Sequence, residues 1–200
     1  MQLRDVQVQK DSMRFRKNIE RIGEIMAYEI SKDFDYEPIV VQTPLATKKT
    51  EIISNKIVLC SILRAGISLH QGFLNYFDNA ESGFISAYRH HPFQDEHFEI
   101  KVEYQAVPSL ENKTLLLIDP MLATGQSIVA VLNKMYSEES PKEIHIGCVI
   151  AAPEGVAFLK EQIRFPFHLW IGSLDERLNE KKYIVPGLGD AGDLAYGSKL

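Results

Sequence analysis

Two hundred residues and 22.7 kDa set the scale of one domain with a real core. Apolar residues make up 45% of the chain and charged residues 24%, which excludes intrinsic disorder. The 22 basic and 27 acidic residues leave −5, which argues against general binding to polyanions but leaves room for a local pocket that takes one phosphate.

No apolar run is long enough to cross a bilayer, and residues 1–10 lack the apolar core of a secretory signal. From there the first predicted element is a long helix over residues 12–34. Phe15, Ile19, Ile22, Met26 and Ile30 fall on one face of it. An extended stretch follows at Ile39, Val40 and Val41, bracketed by Pro38 and Pro44. Then five continuous apolar runs appear at residues 57–61, 83–87, 114–118, 144–151 and 167–171. Helical spacing follows the first (to Phe77), the third (127–136) and the fourth (155–162). Strands apolar on both faces, alternating with helices, predict an α/β fold with a mostly parallel twisted sheet flanked by helices. Ligands in such folds bind beyond the carboxyl ends of the strands. Residues 89–108 interrupt this grammar. Residues 98–104 alternate strictly, as a half-exposed antiparallel strand does, and predict a protruding β-arm. The whole chain reads as one domain, 1–200, with a C-terminal loop over about 174–197. Cys60 and Cys148 sit inside apolar runs without a CxxC neighbour. They read as buried thiols of a reducing compartment, in keeping with a cytoplasmic location.

Three segments carry chemistry. In residues 115–127 a buried strand delivers Asp119 to its end, and a loop of small residues feeds a helix. Such a loop converges backbone N–H groups on one point, and the helix N-terminus adds positive potential, so a phosphate monoester fits there. Thr124 and Ser127 add hydroxyls. The competing reading is a strand–turn–helix joint with Asp119 or Thr124 as a cap. Neither a Walker loop nor a dinucleotide fingerprint is present. Arg64, at the end of the first strand, suits bidentate capture of phosphate oxygens; Arg89 follows the second run in the same way. In residues 183–193 glycines permit close approach to a ligand, and Asp190 and Asp193 offer carboxylates. His90, His91 and His97 lack a metal-ligand spacing. Asp175, Glu176 and Glu180 read as a solvated turn, and the terminal Ser198-Lys199-Leu200 matches a peroxisomal address too short to weigh.

Side by side, these segments resemble the uracil phosphoribosyltransferase family, of the type I phosphoribosyltransferase fold. Asp119, Pro120, Met121, Leu122, Ala123, Thr124 and Gly125 match its phosphoribosyl-diphosphate loop, in which the second acid is replaced by proline. Residues 62–66 resemble its diphosphate loop, Tyr88 and Arg89 the pair before its flexible arm, and residues 151–155 and 183–193 its later signatures. Leu3-Arg4-Asp5 and Thr43-Pro44-Leu45 match weaker N-terminal ones. The chain departs from the pattern at Gln126, where glycine is usual, at residues 90–103 of the arm, and at Leu194, where a basic residue is usual.

The resemblance implies transfer of a phosphoribosyl group from 5-phosphoribosyl 1-diphosphate to uracil. Catalytic roles fall to Asp119, Arg64 and Asp190. The phosphoribosyl diphosphate would be held by Arg64, Arg89, Asp119, Pro120, Met121, Leu122, Ala123, Thr124, Gly125, Gln126, Ser127 and Asp190. Uracil would be read by Ile184, Gly189, Asp190 and Ala191, mainly through main-chain groups. Magnesium would ride on substrate oxygens rather than in a protein cage. The resemblance further implies a homo-oligomer, a GTP effector, no nucleic-acid or membrane partner, and an unusual peptide between Arg64 and Ala65. Other readings are transfer to a different base, a pyrimidine regulator that keeps the fold, or a paralogue weakened by Gln126 and the atypical arm.

Overall fold

A computed structural model describes residues 1–90 and 99–198. The chain opens with α1 (Ser12–Ser31), capped by Asp11, whose carboxylate accepts from the Arg14 N–H. Phe15, Ile19, Met26 and Ile30 form its buried face. The helix stops before Phe34 because the Lys32 N–H turns to the carbonyls of Glu29 and Ile30. Phe34 still packs in the core, which is why the apolar spacing runs past the helix end. Next come β1 (Tyr36–Gln42) and β2 (Thr47–Ile53), an antiparallel hairpin where the sequence shows only an extended stretch. Most of its residues are exposed.

The rest alternates as expected: β3 (Ile57–Leu63), α2 (Gly66–Leu74), β4 (Glu81–His90), β5 (Glu99–Ala106), β6 (Thr114–Ile118) and β7 (Met121–Leu122). These lead to α3 (Gln126–Glu138), β8 (Glu143–Ala151), α4 (Pro153–Gln162) and β9 (His168–Leu174). The chain closes with β10 (Arg177–Leu178), β11 (Ile184–Val185) and α5 (Ala191–Tyr196). Across the sheet the order is β5, β4, β3, β6, β8, with β9 on the outer side of β8. All neighbours are parallel except β4 and β5. Within β3, β6 and β8 nearly every residue is buried, because helices cover both faces. One core lies under α1 and α2, the other under α3 and α4.

β4 and β5 form the base of the predicted arm, with a bulge between Ile85 and Ala87. The arm's tip, with His91 and His97, lies outside the described residues, as do the side chains of Arg89 and His90. Cys60 and Cys148 are buried free thiols, as expected. Burial pushes the Cys60 thiol up to about 12 and that of Cys148 well above its ordinary value. Polar groups are buried as well, His70 among them. His70 of α2 bridges Ser61 of β3, at 2.8 Å, and Ser82 of β4, at 3.0 Å, and burial pushes it down to about 4. Thus α2 is bonded both to β3, which it follows, and to β4, into which it leads. Among the described residues no helix is long and apolar enough to cross a membrane.

Candidate active site

The carboxyl ends of β3, β4 and β6 open into a cavity of about 1070 Å³. Its floor is built from Asp119 and the loop that follows. β6 breaks at Asp119 and Pro120, and β7 resumes the same register against β8 two residues later. The break follows from proline, which has no N–H for the ladder. The Pro120 carbonyl instead accepts from Val149 and Ile150, at 3.0 Å each. The Asp119 N–H still donates to the Gly147 carbonyl of β8 at 3.1 Å, and Asp119 lines the cavity. One of its oxygens accepts the Met121 N–H at 3.3 Å. Burial raises its carboxyl to about 7, against the opposing effect of the Met121 N–H; the charge of nearby Asp190 adds to the rise.

Beyond β7 the chain turns through Ala123 and Thr124 into Gly125. Gly125 is left-handed, with φ +79°, and no side chain caps the helix it begins. The Gln126 N–H donates to the Thr124 hydroxyl at 3.5 Å, which leaves the N–H groups of Ser127 and Ile128, both on the cavity wall, to meet an anion. Met121, Leu122, Ala123, Thr124, Gly125 and Ser127 line the cavity. Two expected members of this set stand apart. Pro120 is buried and engaged with β8 through its carbonyl. Gln126 lies beside Thr124, 3.4 Å from its hydroxyl, and does not line the cavity. The Thr124 hydroxyl donates to the Gln126 amide oxygen, so the loop accommodates a side chain at this position.

Arg64 stands at the end of β3. Its guanidinium donates to Asp193, at 3.2 Å, and to the Gly197 carbonyl, at 2.9 Å, while its Nε is buried without a hydrogen-bond partner. The unusual peptide expected between Arg64 and Ala65 is found one bond earlier: Leu63–Arg64 is cis. Ala65 has an ordinary right-handed conformation, because it already leads into α2.

A hood made from residues 175–198 covers the cavity. β10 and β11 form a small antiparallel ladder. Ile184 and Ala191 are buried, Gly189 has φ +90°, and Asp190 caps α5 by accepting the Asp193 N–H at 2.9 Å. Ile184, Gly189, Asp190 and Ala191 all line the same cavity as Asp119 and Arg64. The glycine-rich segment is thus ordered, and it ends in a helix that the sequence did not signal. Ser86, Ala87, Ile128, Lys181 and Lys182 also line the walls without having been singled out by the sequence. Alternating strand ends and a polar turn carry no local signature. Asp175, expected on a solvated turn, is buried and paired with Arg4, because its partner comes from the opposite end of the chain. Among the described residues no group of three or more metal-ligating side chains is assembled.

A parallel sheet with a phosphate loop after its central strand and a hood across the strand ends is the plan of a phosphoribosyltransferase. The structure matches a hypoxanthine phosphoribosyltransferase from Staphylococcus aureus with a TM-score of 0.54 over 82% of this chain and 76% of that one. Identity is 14%, so the likeness is one of fold. The chain belongs to the uracil phosphoribosyltransferase family, whose model matches residues 1–198. The uracil phosphoribosyltransferase of Porphyromonas gingivalis is 47% identical over 201 residues, covering 100% of this chain and 92% of that protein. A solved protein from Aquifex aeolicus is similar in structure, with a TM-score of 0.86 and 34% identity over 96% of this chain and 90% of that one.

Proposed function

We propose that this chain transfers the phosphoribosyl group of 5-phosphoribosyl 1-diphosphate to uracil, giving UMP and diphosphate. The observation that carries this reading is the convergence of Asp119, the 121–127 loop, Arg64 and the 184–191 segment on one cavity, in a chain of this family. The 5-phosphate sits on the amides at the start of α3. Asp119 accepts from the ribose hydroxyls, and Arg64 holds diphosphate oxygens, exchanging Asp193 and the Gly197 carbonyl for the ligand. Arg89, whose side chain lies outside the described residues, belongs to the same diphosphate set. Asp190 faces the phosphoribosyl group from the hood. The C1–O bond to diphosphate breaks as the bond from C1 to uracil N1 forms, and the N1 proton is released. Positive charge grows on the sugar and negative charge on the leaving group, where a guanidinium acts most strongly. Magnesium would be held mainly by the substrate and would supply charge neutralisation at the diphosphate; Asp119 and Asp190, the carboxylates that line the cavity, are the side chains that would face it. The same reading includes a cytoplasmic homo-oligomer with GTP as effector. The exposed Val40 and Leu45 of the β1–β2 hairpin offer a surface for assembly.

Incubation with uracil, phosphoribosyl diphosphate and magnesium is expected to yield UMP; absence of UMP, with the chain folded, would overturn the proposal. Arg64→Ala is expected to weaken phosphoribosyl diphosphate by roughly tenfold to a hundredfold, the worth of charge-assisted hydrogen bonds. Uracil affinity should change far less. Titration calorimetry with each ligand checks this, and unchanged diphosphate-substrate affinity would return Arg64 to a purely structural role.

A further inference from the structure

The amino-terminal segment grips the hood at one point. The Arg4 guanidinium forms a fork with Asp175, with Nη1 2.6 Å from Oδ2 and Nη2 2.7 Å from Oδ1. Between them they hold both backbone groups of Gly187. Arg4 Nη1 donates to its carbonyl at 3.0 Å, and its N–H donates to Asp175 Oδ2 at 2.9 Å. Ser173 joins the fork by accepting from Arg4 Nη2 at 3.2 Å. Gly187 itself has φ +62°, and a Cβ there would run into the Ile184 carbonyl, so this position is fixed to glycine and to one conformation. The neighbouring carbonyl of Leu188 accepts from Gln9 at 3.2 Å. Asp175 is anchored in turn, its N–H donating to the Ala151 carbonyl at the end of β8 at 2.8 Å. The side chain of Asp175 is 3% exposed, so solvent competes little with this network.

We infer that Arg4, through Asp175, is a positioning residue for base recognition. It fixes the peptide between the two stretches of main chain, Ile184 and Gly189, that meet the base. Arg4 does not line the cavity and touches no substrate position. Its effect is therefore confined to the geometry of the 184–189 turn. A main-chain reader has no side-chain torsion with which to correct a misplacement, so its precision depends on what holds the turn. Among the described residues the 121–127 loop bonds to neither Arg4 nor the Asp175 side chain; its main chain is held at the end of β8, where the Ala152 N–H donates to the Leu122 carbonyl at 2.9 Å.

This inference rests on the uracil-transfer reading, and its test separates the two. Steady-state kinetics of Arg4→Ala, Arg4→Lys and Asp175→Asn are compared with those of the unaltered chain. In Arg4→Ala the KM for uracil is expected to rise roughly tenfold or more, as loss of a bidentate charged pair implies, with the KM for phosphoribosyl diphosphate within about threefold. Arg4→Lys should recover part of the loss, since lysine keeps the charge but not the fork. Ile19→Val, a buried change on α1, serves as the control for simple destabilisation. It should lower the melting temperature without moving the uracil KM. Equal rises in both substrates' KM, or a uracil KM unchanged in all three variants, would overturn the inference. Hydrogen exchange of the Gly187 amide reads the latch independently of catalysis. Exchange should be faster in Asp175→Asn and Arg4→Ala. If the unaltered chain makes no UMP but this exchange difference is present, the functional reading fails and the latch stands. If the exchange is unchanged, the latch itself is wrong.

Discussion

Asp119→Asn is expected to remove most of the turnover and, at pH 8, to raise the melting temperature. Both effects come from the same carboxyl. In the native chain burial lifts it from an ordinary value of 3.8 to about 7. Between those pH values the unfolded chain has released a proton that the native chain still holds. Native stability therefore falls as pH rises from about 4 to about 7 and is level above that. Asparagine carries no such penalty. The gain in the variant should be full at pH 8, on the order of 10 °C, and much smaller at pH 5. Activity moves the other way. The ribose hydroxyls need a charged acceptor, and no second acid follows Asp119 in the loop, where Pro120 stands instead. Loss of a charge-assisted hydrogen bond at about 1.5–3 kcal/mol gives a fall of more than tenfold in kcat/KM. In the unaltered chain, turnover at low phosphoribosyl diphosphate should rise as pH passes through about 7. In the variant that part of the profile should be flat. Calorimetric melting at the two pH values and a pH–rate profile check the set. Near-normal kinetics in Asp119→Asn would refute the ribose role, and a lower melting temperature at pH 8 would refute the burial penalty.

How much of this was legible depends on whether the partners are close in sequence. β3, β6 and β8 announce themselves because helices cover both faces and demand continuous apolar residues. The β1–β2 hairpin packs on little else in the chain, so Thr47–Ile53 is polar and shows no alternation to detect. β7 is two residues long, split from β6 by Asp119 and Pro120, and falls below any periodic signal. α5 is six residues flanked by glycines, and only its Asp190 cap marks it. The loop at 119–127 was readable because strand end, turn and helix start are consecutive. The support of the hood was not. Arg4 and Asp175 are separated by 171 positions, and nothing local distinguishes either from an ordinary surface charge. The walls contributed by Ser86, Ala87 and Lys181 depend likewise on where the sheet and hood come together.

Base choice should be strict: measurable turnover with uracil, very little with cytosine and none with adenine or guanine. Uracil presents an acceptor at C4 and a donor at N3, and cytosine reverses both. In the proposed reading the groups that meet them are main-chain atoms around Ile184, Gly189 and Ala191, which line the cavity. Ile184 is in a ladder with Leu178, and Ala191 is the first residue of α5 behind its Asp190 cap. The intervening Gly187 is clamped on both its N–H and its carbonyl. Such groups cannot rotate, as an Asn or Gln amide could, to suit the opposite pattern. Cytosine would leave a buried donor and a buried acceptor each facing its like. Each unmet group costs about 1–3 kcal/mol, so two give discrimination on the order of a hundredfold or more. Purines fail for another reason. In the proposed reading the base lies against Ile184 and Ala191, which are buried and packed, so that wall does not give way to a second ring. Specificity constants for the four bases at saturating phosphoribosyl diphosphate decide the matter. Comparable values for uracil and cytosine would sink main-chain readout. A preference for a purine would leave the fold standing and remove the base assignment, because the phosphate loop and Asp119 serve any base equally.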